Sequence, residues 1–173
     1  CGRLGFDATG DDVVDAANET DPPRPDAPSN ALMMTFTPVA DTYIVSETVE
    51  RLNNFGAEDE LRTKRDEERG LLRFDVSALP AAATIFSADL QVTPTSVESD
   101  GSFRVHPMRE AWIEGTQEGA PGACNWDMRN LTMPWSNAGA STPTSAGSIV
   151  TTFTANGLPP LSIAVPPSLV EGW

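Results

Sequence analysis

One histidine (His106) and two cysteines (Cys1 and Cys124) leave this 173-residue chain with too few nitrogen and sulfur donors for a His/Cys zinc site. Cations are scarce too. Eleven Lys+Arg face 25 Asp+Glu, giving a formal net charge of −14, and Lys64 is the single lysine. Such a surface repels phosphate backbones, which excludes nucleic-acid binding as a main role. No stretch reaches the roughly 20 apolar residues of a membrane-spanning helix. No serine or cysteine motif sets a nucleophile beside His106, which precedes Pro107 in an extended stretch and reads as a packed edge histidine. Glu110, Glu114 and Glu118 are the right residue type for glycoside hydrolysis, but nothing in the sequence fixes a separation between any two of them. The sequence therefore gives no enzyme. What is present is 39% hydrophobic residues, enough for a packed core, with 13 glycines and 15 prolines that favour turns and short strands over long helices.

Composition divides the chain near residue 30. Residues 1–30 read as an acidic tether: Asp7, Asp11, Asp12, Asp15, Glu19, Asp21 and Asp26 face only Arg3 and Arg24, and Pro22, Pro23, Pro25 and Pro28 favour extended backbone. Asp11, Asp12 and Asp15 lack the spacing and glycine of an EF-hand loop. The opening Cys1-Gly2 resembles a mature bacterial lipoprotein. That resemblance implies acyl chains on Cys1 and a membrane partner through the lipid anchor, at the bacterial cell surface on the outer membrane. A Cys1–Cys124 disulfide is the alternative.

From residue 31 the pattern turns to strands. Ala31–Val39 and Asp41–Val45 are apolar and β-prone, Leu61–Glu68 reads as a strand running into a polar hairpin loop, and Leu72–Val76 alternates. Ile85–Val92, Phe103–His106, Ser148–Phe153 and Leu161–Val165 supply further strands. The Gly-, Pro-, Ser- and Asn-rich stretch Gly115–Gly147 is mostly loop. The pattern predicts an all-β fold, an antiparallel sandwich or jelly roll over 31–173.

Several blocks, in order, resemble the DNRLRE domain, also classed as carbohydrate-binding module family 96 and related to archaeal disaggregatase. They are Ala40–Ile44, Asn53–Gly56, Asp59–Arg62, Gly70–Pro80, Ala83–Leu90, Val105–Pro107 and Ala111–Thr116, followed by Asn125-Trp126-Asp127, Trp135-Ser136-Asn137 and Leu169–Trp173. The resemblance implies a jelly-roll β-sandwich that is extracellular and non-catalytic, with extracellular or cell-wall polysaccharide as its partner. The family pattern continues past Trp173 with closing strands. A sandwich without them exposes an edge that the apolar segment 31–37 is a candidate to fill, in its own molecule or a neighbour's. This is the basis of an alternative role as a homo-oligomeric structural subunit of a surface appendage or envelope assembly.

Sugar recognition needs flat aromatic faces and planar polar groups. Trp126, Trp135 and Tyr43 are the aromatic candidates, with Arg129 to pair with a uronate or simply to neutralise Asp127; the competing reading makes the loop tryptophans anchors of the loop. Trp112 reads as core, and Arg73 as a structural ion pair. No cofactor is required. A structural calcium ion would draw on Asp41, Asp75, Asp89 and Glu114, residues that turn caps and strand-edge charges explain equally well.

Overall fold

The computed structural model describes residues 2–9 (as backbone), 31–97, 101–157 and 159–173. The elements in chain order are β1 (Gly2–Thr9), β2 (Pro38–Val45), β3 (Asn53–Asn54), β4 (Glu68–Phe74), β5 (Ala88–Val92), β6 (Gly101–Pro107), β7 (Ala120–Pro121), β8 (Thr151–Ala155) and β9 (Leu161–Val165). A 3-10 turn spans Ala138–Ala140 and a short helix, α1, spans Pro167–Glu171. Five strands form an antiparallel sheet in the order β2-β4-β1-β6-β8; β5 pairs with β9, and β3 with β7. The chain is an all-β, antiparallel sandwich.

The reason is legible in β4. Gly70, Leu71 and Leu72 are consecutive and all buried, which a strand shows when both faces of its sheet are covered. Leu71 packs with Ala40, Ile44 and the tryptophans of the long loop on one face. Leu72 packs with Val105, Leu90, Ile163 and Val165 on the other, where the β5–β9 ribbon forms the second layer. Each of these aliphatic side chains contributes roughly 1.5–3 kcal/mol by leaving water. Strand β9 keeps the period-2 rule, with Ile163 and Val165 buried and Ser162 and Ala164 exposed. At the sheet edge, Tyr43 stacks on Phe55 with ring centroids 4.3 Å apart.

Three sequence expectations are corrected. Residues 2–9, expected within the tether, form β1 in the middle of the sheet: Leu4 is registered against Leu72 and Pro107, and Phe6 against Val105. The alternation Leu4-Gly5-Phe6-Asp7-Ala8 matches the period of a half-buried strand. Segment 31–37, expected to be a strand, is not one; Leu32 and Met33 are almost fully exposed, and pairing begins at Pro38. The rest of the tether, residues 10–30, and the proposed lipidation site Cys1 lie outside the described residues. The strand expected over Leu61–Glu68 does not form either: residues 61–63 are unpaired in any sheet, and 64–68 make a tight turn in which Lys64 bridges Glu68 at the start of β4.

Candidate functional site

The long connection between β6 and β8 folds back over the β2–β4 half of the sheet and carries three tryptophans inward. Trp112, Trp126 and Trp135 are 2%, 8% and 4% exposed, and Tyr43 is 1% exposed. All three proposed aromatic contacts are therefore core residues, not a platform for a sugar ring. Burial pushes the Tyr43 hydroxyl up to about 12, against the opposing pull of Arg62.

Two buried amides tie this layer together. Asn54 Nδ2 donates to the carbonyls of Glu114 (2.6 Å) and Cys124 (3.1 Å), while its Oδ1 accepts from the N–H of Gln117 at 3.1 Å. Asn125 donates to the carbonyls of Leu52 and Gly122 and accepts from the N–H groups of Asp127 and Met128. Both short side chains satisfy backbone groups that an irregular loop would otherwise bury unpaired. The Asn-Asn-Phe-Gly and Asn-Trp-Asp blocks are thus architectural.

Arginines cover the outer faces of the rings. The Arg69 guanidinium carbon lies 4.8 Å from the Trp126 ring centre and that of Arg73 lies 5.4 Å from Trp112, both within cation–π range. Arg73 also donates to the Trp112 carbonyl, so the ion pair expected for it is replaced by a ring and a carbonyl. Arg129 does not neutralise Asp127. It donates to the Ala111 carbonyl at 2.9 Å, its Nε sits 4.0 Å from Glu110, and Asp127 is held by Arg51. Arg129 therefore organises its loop and does not present a free fork.

The four carboxylates proposed for calcium are not brought together. Asp41 and Glu114 are neighbours, the Asp41 N–H donating to Glu114 Oε1 at 2.7 Å. Asp75 caps the turn after β4 by accepting from the Ser77 N–H, and Asp89 lies on β5 opposite Ala164. Among the described residues no group of three or more His, Cys, Asp or Glu side chains is placed to hold a metal ion. Burial, reinforced by the Glu114 charge, raises the Asp41 carboxyl above its ordinary range. Cys124 is a buried free thiol, and the other end of the disulfide alternative, Cys1, lies outside the described residues; burial and then Glu114 push the Cys124 pKa strongly upward. His106 Nδ1 meets the Gly147 carbonyl at 2.9 Å, the packed edge position expected of it.

One concave feature was missed by sequence reading. A cleft of about 510 Å³ lies between the turn following β4 and helix α1, and its lining includes Asp75, Ser77, Ile85, Glu171 and Trp173. Asp75 and Trp173 are too far apart in sequence for any motif to join them. The one available signal was the pairing of an aromatic with an acidic residue in Glu171-Gly172-Trp173.

A sandwich whose loops are stiffened by saturated amides, with a shallow cleft at one end, has the frame of a recognition module. The profile of carbohydrate-binding module family 96 matches residues 33–156, and the chain belongs to that family. No curated protein and no solved structure matches it.

Proposed function

We propose that this protein is a non-catalytic recognition domain that binds polysaccharide outside the cell or at its surface. The observation that carries the reading is the family match over residues 33–156, which spans β2 to β8 and every block that builds the tryptophan layer. The architecture supports it: the Asn54 and Asn125 amides of that layer pair with backbone groups from several segments, and arginines lie over two of its rings, a preordered frame that lowers the cost of binding. The test is retention of the protein on a panel of insoluble polysaccharides. Binding to at least one, saturable and reversed by the soluble polymer, is the expected result; no binding to any removes the reading.

A second reading, self-assembly by strand exchange, is favoured by one observation. The central strand β1 reaches the sheet through positions 10–37, whose extended span is at most roughly 90–100 Å. That is long enough for β1 to enter a neighbour's sheet between β4 and β6. Here the donor is residues 2–9, not 31–37. Light scattering across a concentration series tests it: concentration-dependent oligomers that survive gel filtration support exchange, and a monomer at all concentrations overturns it.

A further inference from the structure

The connection between β8 and β9 carries the chain from the five-stranded sheet to the second layer, and it opens with Asn156-Gly157. Ala155, the last residue of β8, is buried and registered against Gly101. Asn156 lies just beyond that pairing and is exposed. Gly157 has a φ of +114° and, with no Cβ, leaves its backbone nitrogen open to the side chain before it. The other described asparagines are held or hindered. Asn54 and Asn125 are buried, with both ends of each amide taken by backbone groups. Asn130 Oδ1 accepts from the Thr132 N–H and hydroxyl and from the Met133 N–H, and Asn137 Oδ1 accepts from the Thr144 N–H. Asn53 lies in β3, directly before the buried Asn54. Asn18 and Asn30 lie outside the described residues. Asn156-Gly157 is the single Asn-Gly dipeptide of the chain, and among the described residues no hydrogen bond holds the Asn156 amide.

We propose that Asn156 is a site of spontaneous deamidation, which gives the β8–β9 connection a second, acidic form. The Gly157 nitrogen gives up its proton to solvent and bonds to Asn156 Cγ, ammonia leaves, and a five-membered succinimide results. Water then opens the ring. Breaking the bond to Cγ leaves aspartate; breaking the bond to the former main-chain carbonyl carbon leaves isoaspartate, with one more methylene in the backbone. One water enters and one ammonia departs, and nothing is oxidised or reduced. No Asp, Glu, Lys or Arg occurs between Arg129 and Glu171, so the product places the first charge in that stretch, at the corner joining the two layers. The reaction needs no glycan and stands apart from the carbohydrate-binding role.

Incubation of the full chain in mildly alkaline buffer tests this. Isoaspartate is quantified by enzymatic methyl transfer, and deamidated positions are assigned by mass spectrometric fragmentation of its peptides. The wild type is followed both folded and unfolded in urea, beside the variant Asn156→Gln, whose ring closure needs six members. Residue 156 is exposed, so the variant keeps the fold, which circular dichroism melting establishes. The expected result is deamidation of the folded wild type at residue 156 ahead of every other asparagine, with total isoaspartate lowered about tenfold or more in Asn156→Gln. Reaction at residue 156 in urea but not in the folded protein overturns the proposal, because the fold then withholds the geometry. Deamidation led by Asn130 or Asn137, or isoaspartate unchanged in Asn156→Gln, overturns it as well.

Discussion

Arg51 closes on Asp127 with one guanidinium facing both carboxylate oxygens. Nε lies 2.9 and 2.8 Å from Oδ1 and Oδ2, and Nη2 lies 2.6 Å from Oδ1. The pair joins the segment after β2 to the tryptophan loop, and the Asp127 hydrogen bond raises the Arg51 pKa further. Both side chains are over a third exposed, so the pair is screened and its coupling is modest. A double-mutant cycle of Arg51→Ala and Asp127→Asn in urea is expected to give about 1 kcal/mol at low salt, falling by half or more in 1 M salt.

Trp112 and Trp135 are equally buried but differ at the indole nitrogen. Trp135 Nε1 donates to the Asn125 carbonyl at 2.9 Å, whereas Trp112 Nε1 has no hydrogen-bond partner among the described residues. Replacement by phenylalanine removes similar volume at each position. Trp135→Phe should therefore cost about 1 kcal/mol more than Trp112→Phe, the net value of the hydrogen bond, read from chemical denaturation midpoints at equal slope. Trp126→Ala or Trp135→Ala should cost about 3–5 kcal/mol and weaken glycan binding only in proportion to unfolding.

Gly139 seats the edge of the Trp126 indole. Its φ is +70°, and a Cβ there would stand 2.6 Å from Trp126 Cζ2. The Gly139 N–H also donates to the Trp126 carbonyl, and its own carbonyl accepts from Arg69. Gly139→Ala is expected to destabilise by about 2–4 kcal/mol through left-handed backbone and overpacking together, seen as a lowered melting midpoint. Gly172→Ala, where φ is −85° and the nearest heavy atoms lie at ordinary contact distance, is the neutral control.

Asp41 gives a pH signature of defined sign. Its folded-state pKa lies above the ordinary 3.8 because burial and then Glu114 disfavour the anion. The folded state binds that proton more tightly than the unfolded chain does, so stability falls as pH rises from 3.8 through the raised value. Asp41→Asn should stabilise the protein at pH 7, and the gain should vanish as pH falls below 3.8, followed by urea midpoints across pH.

Strand β1 is central, so a proline in it should be felt by the whole sheet. Gly5 is registered against Leu71 on one side and His106 on the other. Gly5→Pro removes a ladder donor and should cost about 3 kcal/mol, with amide exchange rising in β4 and β6 before β5 and β9.

Strand positions were legible where alternation met a buried face, as in β6 and β9, and the order of the family blocks gave the sandwich. The position of β1 was not, because Leu4 and Phe6 sit in a strongly acidic, proline-rich stretch whose average composition hides a short period-2 pattern. Segment 31–37 failed the other way: Leu32, Met33 and Met34 have strand propensity but are left exposed, with no partner among the described residues to bury them. Trp126 and Trp135 are a case where residue type misleads. A tryptophan in a polar loop reads as a ligand contact until Arg51, Arg69 and Asn125 are seen to enclose it. Asn54 and Asn125 look like turn residues in sequence, and only the folded chain shows them saturating groups distant along it.

The placement of arginine in this molecule has an electrostatic consequence. Arg51, Arg69, Arg73 and Arg129 are partly buried against rings, carbonyls and a carboxylate of the loop layer. Positive charge is drawn toward the interior, and the potential projected into solvent is more uniformly negative than the residue tally suggests. Like-charged polymers are held at a distance by that field at low ionic strength, and added electrolyte collapses the barrier. On the proposed carbohydrate-binding role, any preference between neutral and acidic glycans should therefore shrink as ionic strength rises.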